Sequence, residues 1–233
     1  MKFTWIGGPS FRLALGPFVN VGDPVLADHF QLDGASVRRL NPLPAVDISG
    51  ADLVLVTSAR ADHCDAAAIA RCGTKEILGV EGVPGAALLA PNEARTMNKQ
   101  DVGLVISPVV AEAGATGFFL RMLQDNRSFT AYVTGDVLFS DHTRELQRLH
   151  GYSNLLVLHV GAERSAGKAC SADAKEAMQI VYRMQPNAVA AVHHSTFSHY
   201  TEPIDSFVEK IGLTIYDNRL RRLREGESFE KTI

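Results

Sequence analysis

Cysteine is scarce in this chain: Cys64, Cys72 and Cys170 are the only three among 233 residues, and no Cys-x-x-Cys spacing occurs. An odd, scattered set argues against a disulfide framework and for reduced thiols in a cytosol. Charge of one sign is also lacking. There are 23 basic against 26 acidic side chains, a formal charge of -3. No dense Lys/Arg run interleaves with aromatics, so the footprint of a nucleic-acid binder is missing. The one basic patch, Arg219, Arg221, Arg222 and Arg224, reads as a solvated strand edge rather than a phosphate site. No apolar run approaches the roughly 20 residues of a membrane helix. The opening Met1-Lys-Phe-Thr-Trp-Ile-Gly7 lacks the apolar core and cleavage site of a signal peptide. The expectation is a soluble cytoplasmic protein with no nucleic-acid or membrane partner, its oligomeric state left open.

What is present is an ordinary core-forming composition, 46% hydrophobic and 21% charged. The expectation is one domain over residues 1–233. The first 21 residues read as a meander: Lys2 to Ile6, a Gly7-Gly8-Pro9 turn, Ser10 to Leu15, a Gly16-Pro17 turn, and Phe18 to Val21. A stretch rich in Asp, Gly and Pro then runs as a loop to about Gly50, long enough to cover a site. From Asp52 short apolar strands alternate with helices: strand Leu53 to Thr57, helix Asp65 to Arg71, strand Glu76 to Val80 and a helical turn after Gly82. Strands Val102 to Val110, Thr116 to Leu123 and Phe129 to Thr134 follow. The pattern then alternates again: helix His142 to Leu149, strand Asn154 to Val160, helix Ser171 to Met184, strand Ala188 to His193, helix Pro203 to Ile211 and a terminal strand. Two meanders, each followed by strand and helix alternation, predict two sheets face to face with helices outside.

Chemistry-bearing residues collect where strands end. Val54-Leu-Val-Thr-Ser58-Ala-Arg60-Ala-Asp62-His63-Cys-Asp65 runs an apolar strand into an adjacent carboxylate and imidazole. Tyr132-Val-Thr-Gly135-Asp136 and Ala188-Val-Ala-Ala-Val-His193-His194 repeat the arrangement. A lone Asp after a strand is usually a turn residue or helix cap, and a lone His a satisfied surface group. Three in series predict strand ends converging on one rim.

This order resembles the metallo-β-lactamase superfamily over nearly the whole chain. Gly7-Gly8 stands where a leading strand ends Gly-His, Asp23-Pro24 gives an Asp-Pro, Asp62-His63 closes the His-x-His-x-Asp-His signature, Gly135-Asp136 follows, and His193 ends the last strand. The nearest branch is similar to ascorbate 6-phosphate lactonases and related hydrolases, whose last His opens a motif like His193-His-Ser-Thr-Phe-Ser-His199. The resemblance implies an α/β fold, the four-layer αβ/βα sandwich, and a two-metal centre sharing a hydroxide. Carried over residue by residue, it makes Asp62, His63, Asp136 and His193 metal ligands.

The chain departs from that pattern at the other half-site. Ser58 and Arg60 replace its first two histidines, and no histidine occurs from Val102 to Thr116, where the third is expected near Val110 to Ala113. Arginine has no lone pair to offer a metal. One divalent ion is therefore expected, Zn²⁺ foremost, with Mn²⁺ or Fe²⁺ also suited to the ligand types. Arg60 is expected to stand in for the missing charge, pairing with Asp136 or with an anionic substrate. Asp62, Arg60 and His199 are the expected catalytic residues. Asp65 is open between a helix N-cap and a partner that orients an imidazole. Cys64 reads as a small buried thiol, and His194 is expected to face away from His193. Ser58 lacks the elbow and base of a nucleophile. The leading expectation is a metal-dependent hydrolase of a small-molecule ester, lactone or phosphoester. The rival is a metal-free binding or regulatory protein on the same fold.

Overall fold

The structure, a computed structural model, describes residues 1–110, 116–165 and 167–232, the side chains of Asp141, His142 and Arg144 excepted. In chain order its elements are β1 Lys2–Gly7, β2 Ser10–Leu15, β3 Phe18–Gly22, β4 His29–Leu32, β5 Ala35–Arg38, β6 Leu53–Leu55, α1 Ala66–Cys72, β7 Ile77–Leu78, β8 Arg95–Lys99, β9 Val102–Val110, β10 Thr116–Gln124 and β11 Arg127–Val133. There follow α2 Asp141–His150, β12 Leu155–His159, β13 Arg164–Ser165, β14 Lys168–Ala169, α3 Ala174–Met184, β15 Val189–Val192, α4 Ile204–Gly212, β16 Leu220–Arg221 and β17 Ser228–Glu230.

Two sheets carry the architecture, one ordered β17-β1-β2-β3-β6-β7 and the other β16-β15-β12-β11-β10-β9-β8. Their facing sides share one core, with Phe3, Phe11, Leu13 and Leu53 from the first sheet packed with Leu104, Phe118, Leu120, Val157 and Val192 from the second. Strand periodicity explains the sorting. In β10 and β12, Phe118, Leu120, Leu155 and Val157 point between the sheets, whereas Phe119, Leu156 and Leu158 point outward. The outward set is covered by α2, α3 and α4 through Leu146, Ala177, Ile180, Val181, Phe207 and Ile211. On the other side α1 lays Ala68, Ile69 and Cys72 on Val21, Val54 and Val56. The four-layer αβ/βα sandwich expected from the sequence is the fold observed.

The local expectations hold with informative exceptions. The stretch from Gly22 to Gly50 contains the β4–β5 hairpin rather than loop alone, with Phe30 paired to Val37. Val37 and Leu32 are its buried contributions to a small core under the cover, too few to show as a period in the sequence. Strand β8 was not expected, because Arg95–Lys99 is polar and mostly exposed; only its ladder to β9 makes it a strand. The turn after Gly82 is not helical. Helix α3 starts at Ala174 instead of Ser171, since Asp173 caps it by accepting from the backbone N–H of Lys175 and Glu176. The end of the chain supplies two short strands in different sheets: β16 beside β15 and β17 beside β1. Among the described residues no helix is long and apolar enough to cross a membrane.

Candidate metal centre

Parallel pairing aims several strand ends at one rim. β3 and β6 run parallel in one sheet, and β11, β12 and β15 run parallel in the other. Their C-terminal ends deliver Asp23, the Thr57–His63 turn, Asp136, His159 and His193, the edge of an α/β sheet where ligands are usually bound. The three convergent strand ends expected from the sequence are therefore five.

The turn after β6 is closed by the Arg60 carbonyl, which accepts from the backbone N–H of both His63 and Cys64. Asp62 and His63 are fully buried, as is His193, and Asp136 is 8% exposed. His63 Nε2 lies 3.1 Å from Asp136 Oδ2 and 3.7 Å from Asp62 Oδ2. His193 Nε2 lies 3.2 Å from Asp62 Oδ2. All four expected ligands thus converge. His199, expected in the pocket, is there as well, its Nε2 3.3 Å from Asp62 Oδ2.

Five further residues complete the centre. Asp23 Oδ2 lies 3.1 Å from His63 Nδ1 and 3.3 Å from His159 Nε2, and Thr57 donates to the same carboxylate from its backbone N–H and its hydroxyl at 2.6 and 2.7 Å. A carboxylate only accepts, so His63 carries its proton at Nδ1 toward Asp23 and turns Nε2 to the pocket. The Asp23, His63 and His159 side chains are one buried hydrogen-bonded triad. Glu163, 2% exposed, was not expected; its Oε2 lies 3.7 Å from His199 Nε2 and 4.0 Å from His193 Nε2. Tyr200 packs its ring 4.3 Å from that of His199 and 4.8 Å from that of His193.

Arg60 corrects an expectation. Its guanidinium pairs with Glu163 Oε1, with Asp62 Oδ1 at 3.5 Å and with Asp33 Oδ2 at 3.5 Å, and among the described residues none of its ion pairs reaches Asp136. The reason is topological. Arg60 sits at the open side of the turn, 24% exposed, facing the β4–β5 cover and the loop after β12, whereas Asp136 lies behind His63. Asp65 resolves as a helix N-cap, accepting from Ala67 and Ala68 N–H, and its other oxygen accepts from Leu26 N–H. His194 does face away, its ring tilted against that of Trp5 with centroids 4.5 Å apart and its Nδ1 2.9 Å from Ser195 Oγ. Cys64 is half-buried rather than fully buried. The position of the missing third histidine falls largely outside the described residues.

The site is built at some backbone cost. His193 has φ of +63° and Ser195 of +59°, a left-handed conformation that ordinary residues rarely hold without compensation. His193 is pinned by donating its N–H to the Gly8 carbonyl at 2.6 Å. Gly161 lies against it, and a Cβ there would sit 2.5 Å from the His193 carbonyl oxygen. The Gly7-Gly8-Pro9 turn therefore supports the last site histidine.

Electrostatics follow from crowding carboxylates in a buried space. Burial opposes charge on His63, but Asp136, Asp62 and Asp23 together raise it well above the usual imidazole range. Burial pushes Asp62 and Asp136 up, and the imidazoles, His63 first, more than reverse this and hold both carboxyls low. Glu163 goes the other way: burial and then Asp62 raise it to about 8 despite Arg60. Burial lowers His193 to about 4, leaving a neutral imidazole. Asp62 Oδ1, His63 Nε2, Asp136 Oδ1, Glu163 Oε2 and both ring nitrogens of His199 are buried without a hydrogen-bond partner. Orphaned buried donors and acceptors are costly and call for a partner. A neutral His193 and the ionised Asp62 and Asp136, with unused lone pairs beside them, are donors for a divalent transition-metal ion, and such an ion would displace the protons favoured on His63 and Glu163, so the residues present fit one.

No protein-family profile matches the sequence, and no curated protein is significantly similar to it. Solved structures are. An isothiocyanate hydrolase from Delia radicum gut bacteria superposes with a TM-score of 0.76 at 18% identity, covering 100% of both chains. A metallo hydrolase from Ignicoccus hospitalis gives 0.65 at 17% identity over 99% of each chain. The metallo-β-lactamase fold protein YhfI from Bacillus subtilis gives 0.63 at 14% identity, covering 98% of this chain and 99% of its own. At such identities the likeness concerns architecture, and this chain has the metallo-β-lactamase fold.

Proposed function

We propose that this chain is a metal-dependent hydrolase of a small uncharged molecule, working with a single divalent ion. The observation that carries it is the convergence of His63, His193 and His199 Nε2 on the Asp62 carboxylate, with buried lone pairs left unused. Asp62, His63, Asp136, His193, Glu163 and His199 are the residues from which the ligands of the ion would be drawn. Zn²⁺ is proposed first on ligand chemistry, with Mn²⁺ or Fe²⁺ as alternatives. When bound, such an ion supplies Lewis acidity toward a carbonyl or phosphoryl oxygen and acidifies water.

The protein's own groups do the rest. Asp23 and Thr57 fix the His63 ring so that Nε2 faces Asp136, where it can hold or pass a proton. His199, at 11% side-chain exposure, borders the approach. The β4–β5 hairpin borders the site, Phe30 meeting the His199 ring edge-on at 6.2 Å. Arg60 is already surrounded by Asp33, Asp62 and Glu163, which leaves little positive charge for an anion. An uncharged ester or lactone suits this environment better than a phosphoester. The isothiocyanate named for one structural neighbour is likewise an uncharged electrophile.

The test is elemental analysis of the full chain purified without added metal, followed by assay of ester, lactone and phosphoester panels with and without chelator. One ion per chain and chelator-reversible turnover support the reading. Absence of any ion after incubation with Zn²⁺ or Mn²⁺ would instead support a metal-free binding protein.

A further inference from the structure

The ligand set implied by the metallo-β-lactamase signature is not the one with the most complete geometry here. Two groups of ligating side chains share His193. One is His63, Asp136 and His193; the other is Asp62, Glu163, His193 and His199, whose ligand atoms all lie within 4.8 Å of one another. Neither Glu163 nor His199 belongs to the expected ligands.

Around a tetrahedral Zn²⁺ with bonds of about 2.0–2.2 Å, neighbouring ligand atoms sit about 3.3–3.6 Å apart. In the second group the separations are 3.2 Å for Asp62 Oδ2 to His193 Nε2, 3.3 Å for Asp62 Oδ2 to His199 Nε2, 3.7 Å for Glu163 Oε2 to His199 Nε2 and 4.0 Å for Glu163 Oε2 to His193 Nε2. Four of the six edges of this four-donor group thus run from 3.2 to 4.0 Å and the other two lie within 4.8 Å, and Glu163 Oε2 and His199 Nε2, both buried, have no hydrogen-bond partner among the described residues. The first group offers only three ligand atoms, two of which, His63 Nε2 and Asp136 Oδ2, lie 3.1 Å apart.

Arg60 supplies the second, independent observation. It holds Glu163 by Oε1 and Asp62 by Oδ1, the oxygens that do not face the imidazoles. Such outer contacts orient metal-ligating carboxylates. The arginine at a former histidine position thus points two carboxylates inward instead of replacing an ion.

We infer that the ion is seated on Asp62, Glu163, His193 and His199, a site displaced from the signature positions and oriented from outside by Arg60. This rests on the reading that the centre holds a metal. His63 and Asp136 then lie beside the ion as a proton-handling pair.

Titration of chelator-stripped full-length protein with Co²⁺, read by visible absorption and by elemental analysis after dialysis, decides the matter. The expected result is one ion per chain with four-coordinate absorption. His199→Ala and Glu163→Gln should each weaken it more than about 10-fold, with Asp136→Asn close to wild type. The near-isosteric Glu163→Gln keeps the test readable if His199→Ala fails to fold. Wild-type affinity in both Glu163→Gln and His199→Ala, with loss in Asp136→Asn, would overturn the displaced site and leave the metal-dependent reading standing. No Co²⁺ or Zn²⁺ bound by wild type would overturn both.

Discussion

Arg60 Nε lies 3.5 Å from Asp62 Oδ1, while Asp62 Oδ2 lies 3.2 Å from His193 Nε2 and 3.3 Å from His199 Nε2. One carboxylate is thus divided between a permanent cation on its outer side and two imidazoles on its inner side. The arrangement links the charge of the turn after β6 to the geometry of the centre.

Removing that cation is expected to destabilise the metal-free protein. Asp62 is fully buried and Glu163 nearly so, and losing one partner of a buried pair leaves the other charge uncompensated. Since Arg60 is 24% exposed, the full penalty is reduced by solvent screening, and Arg60→Ala should lower unfolding stability by about 2 kcal/mol in chelator. Arg60→Lys should recover part of it, because a single ammonium cannot span both carboxylates as a guanidinium does. Denaturant midpoints of the three proteins check this; an unchanged midpoint in Arg60→Ala would make the residue a bystander.

Asp23 offers a separable test of the proton-handling pair. Asp23→Asn keeps the shape but can present an N–H to His63 Nδ1, shifting the ring proton to Nε2 and against the pocket. Such orienting partners are worth roughly 10–100-fold. The expected outcome is that loss in turnover on whichever substrate is found, with Co²⁺ affinity changed only a few-fold. Equal losses in turnover and affinity would place His63 among the ligands.

His194 gives a pH signature independent of the metal residues it adjoins. Burial lowers it to about 4, whereas an unfolded imidazole titrates near 6.5. The folded pKa is depressed, so the unfolded chain binds more protons between those values. The stabilising contribution of a neutral His194 is full above about pH 6.5 and is lost as pH falls toward 4, by up to about 3 kcal/mol. His193 works in the same direction and His63, raised by its carboxylates, in the opposite one. Comparing wild type with His194→Gln in chelator isolates the single group: the stability gap should narrow from pH 7 to pH 4. A gap independent of pH would show that His194 is not kept neutral by the fold.

What was legible in the sequence was whatever repeats along the chain. Strands such as Leu155–His159 are uninterrupted apolar runs, and the strand-end residues Asp62, His63, Asp136 and His193 share one position in a recurring unit. His159 ends its strand in the same way and could have been read by that rule. Asp23 stands in the sequence only as half of an Asp-Pro pair, although its carboxylate anchors His63. Glu163 carried no signal, since it lies in an irregular segment four residues beyond β12, and only folding brings it to Arg60, 103 positions away. The pairing of Arg60 was misread for the same reason: sequence gives the charge and the turn, not which carboxylate the turn faces. The β4–β5 hairpin escaped because its pairing, rather than an apolar period, makes it sheet.

The last prediction asks whether the vacant half-site can be refilled. Ser58→His with Arg60→His returns two imidazoles to the signature positions, and at a merely decayed site this should be tolerated and add a second weak ion. The structure argues otherwise. Ser58 is 7% exposed, and its hydroxyl accepts from the Arg60 backbone N–H at 3.3 Å, so a larger ring there meets a packed wall and strain of about 1–3 kcal/mol. Replacing Arg60 also strips Asp62 and Glu163 of their outer partner, and no histidine between Val102 and Thr116 supplies a third ligand. The double variant should therefore be less stable than wild type in chelator and partly rescued by added Zn²⁺, which can neutralise the exposed carboxylates. Its tightly bound metal should not exceed one ion per chain by elemental analysis. Thermal stability equal to wild type in chelator, or two tightly held ions, would show that Arg60 is a remnant and that the half-site needs only its two histidines.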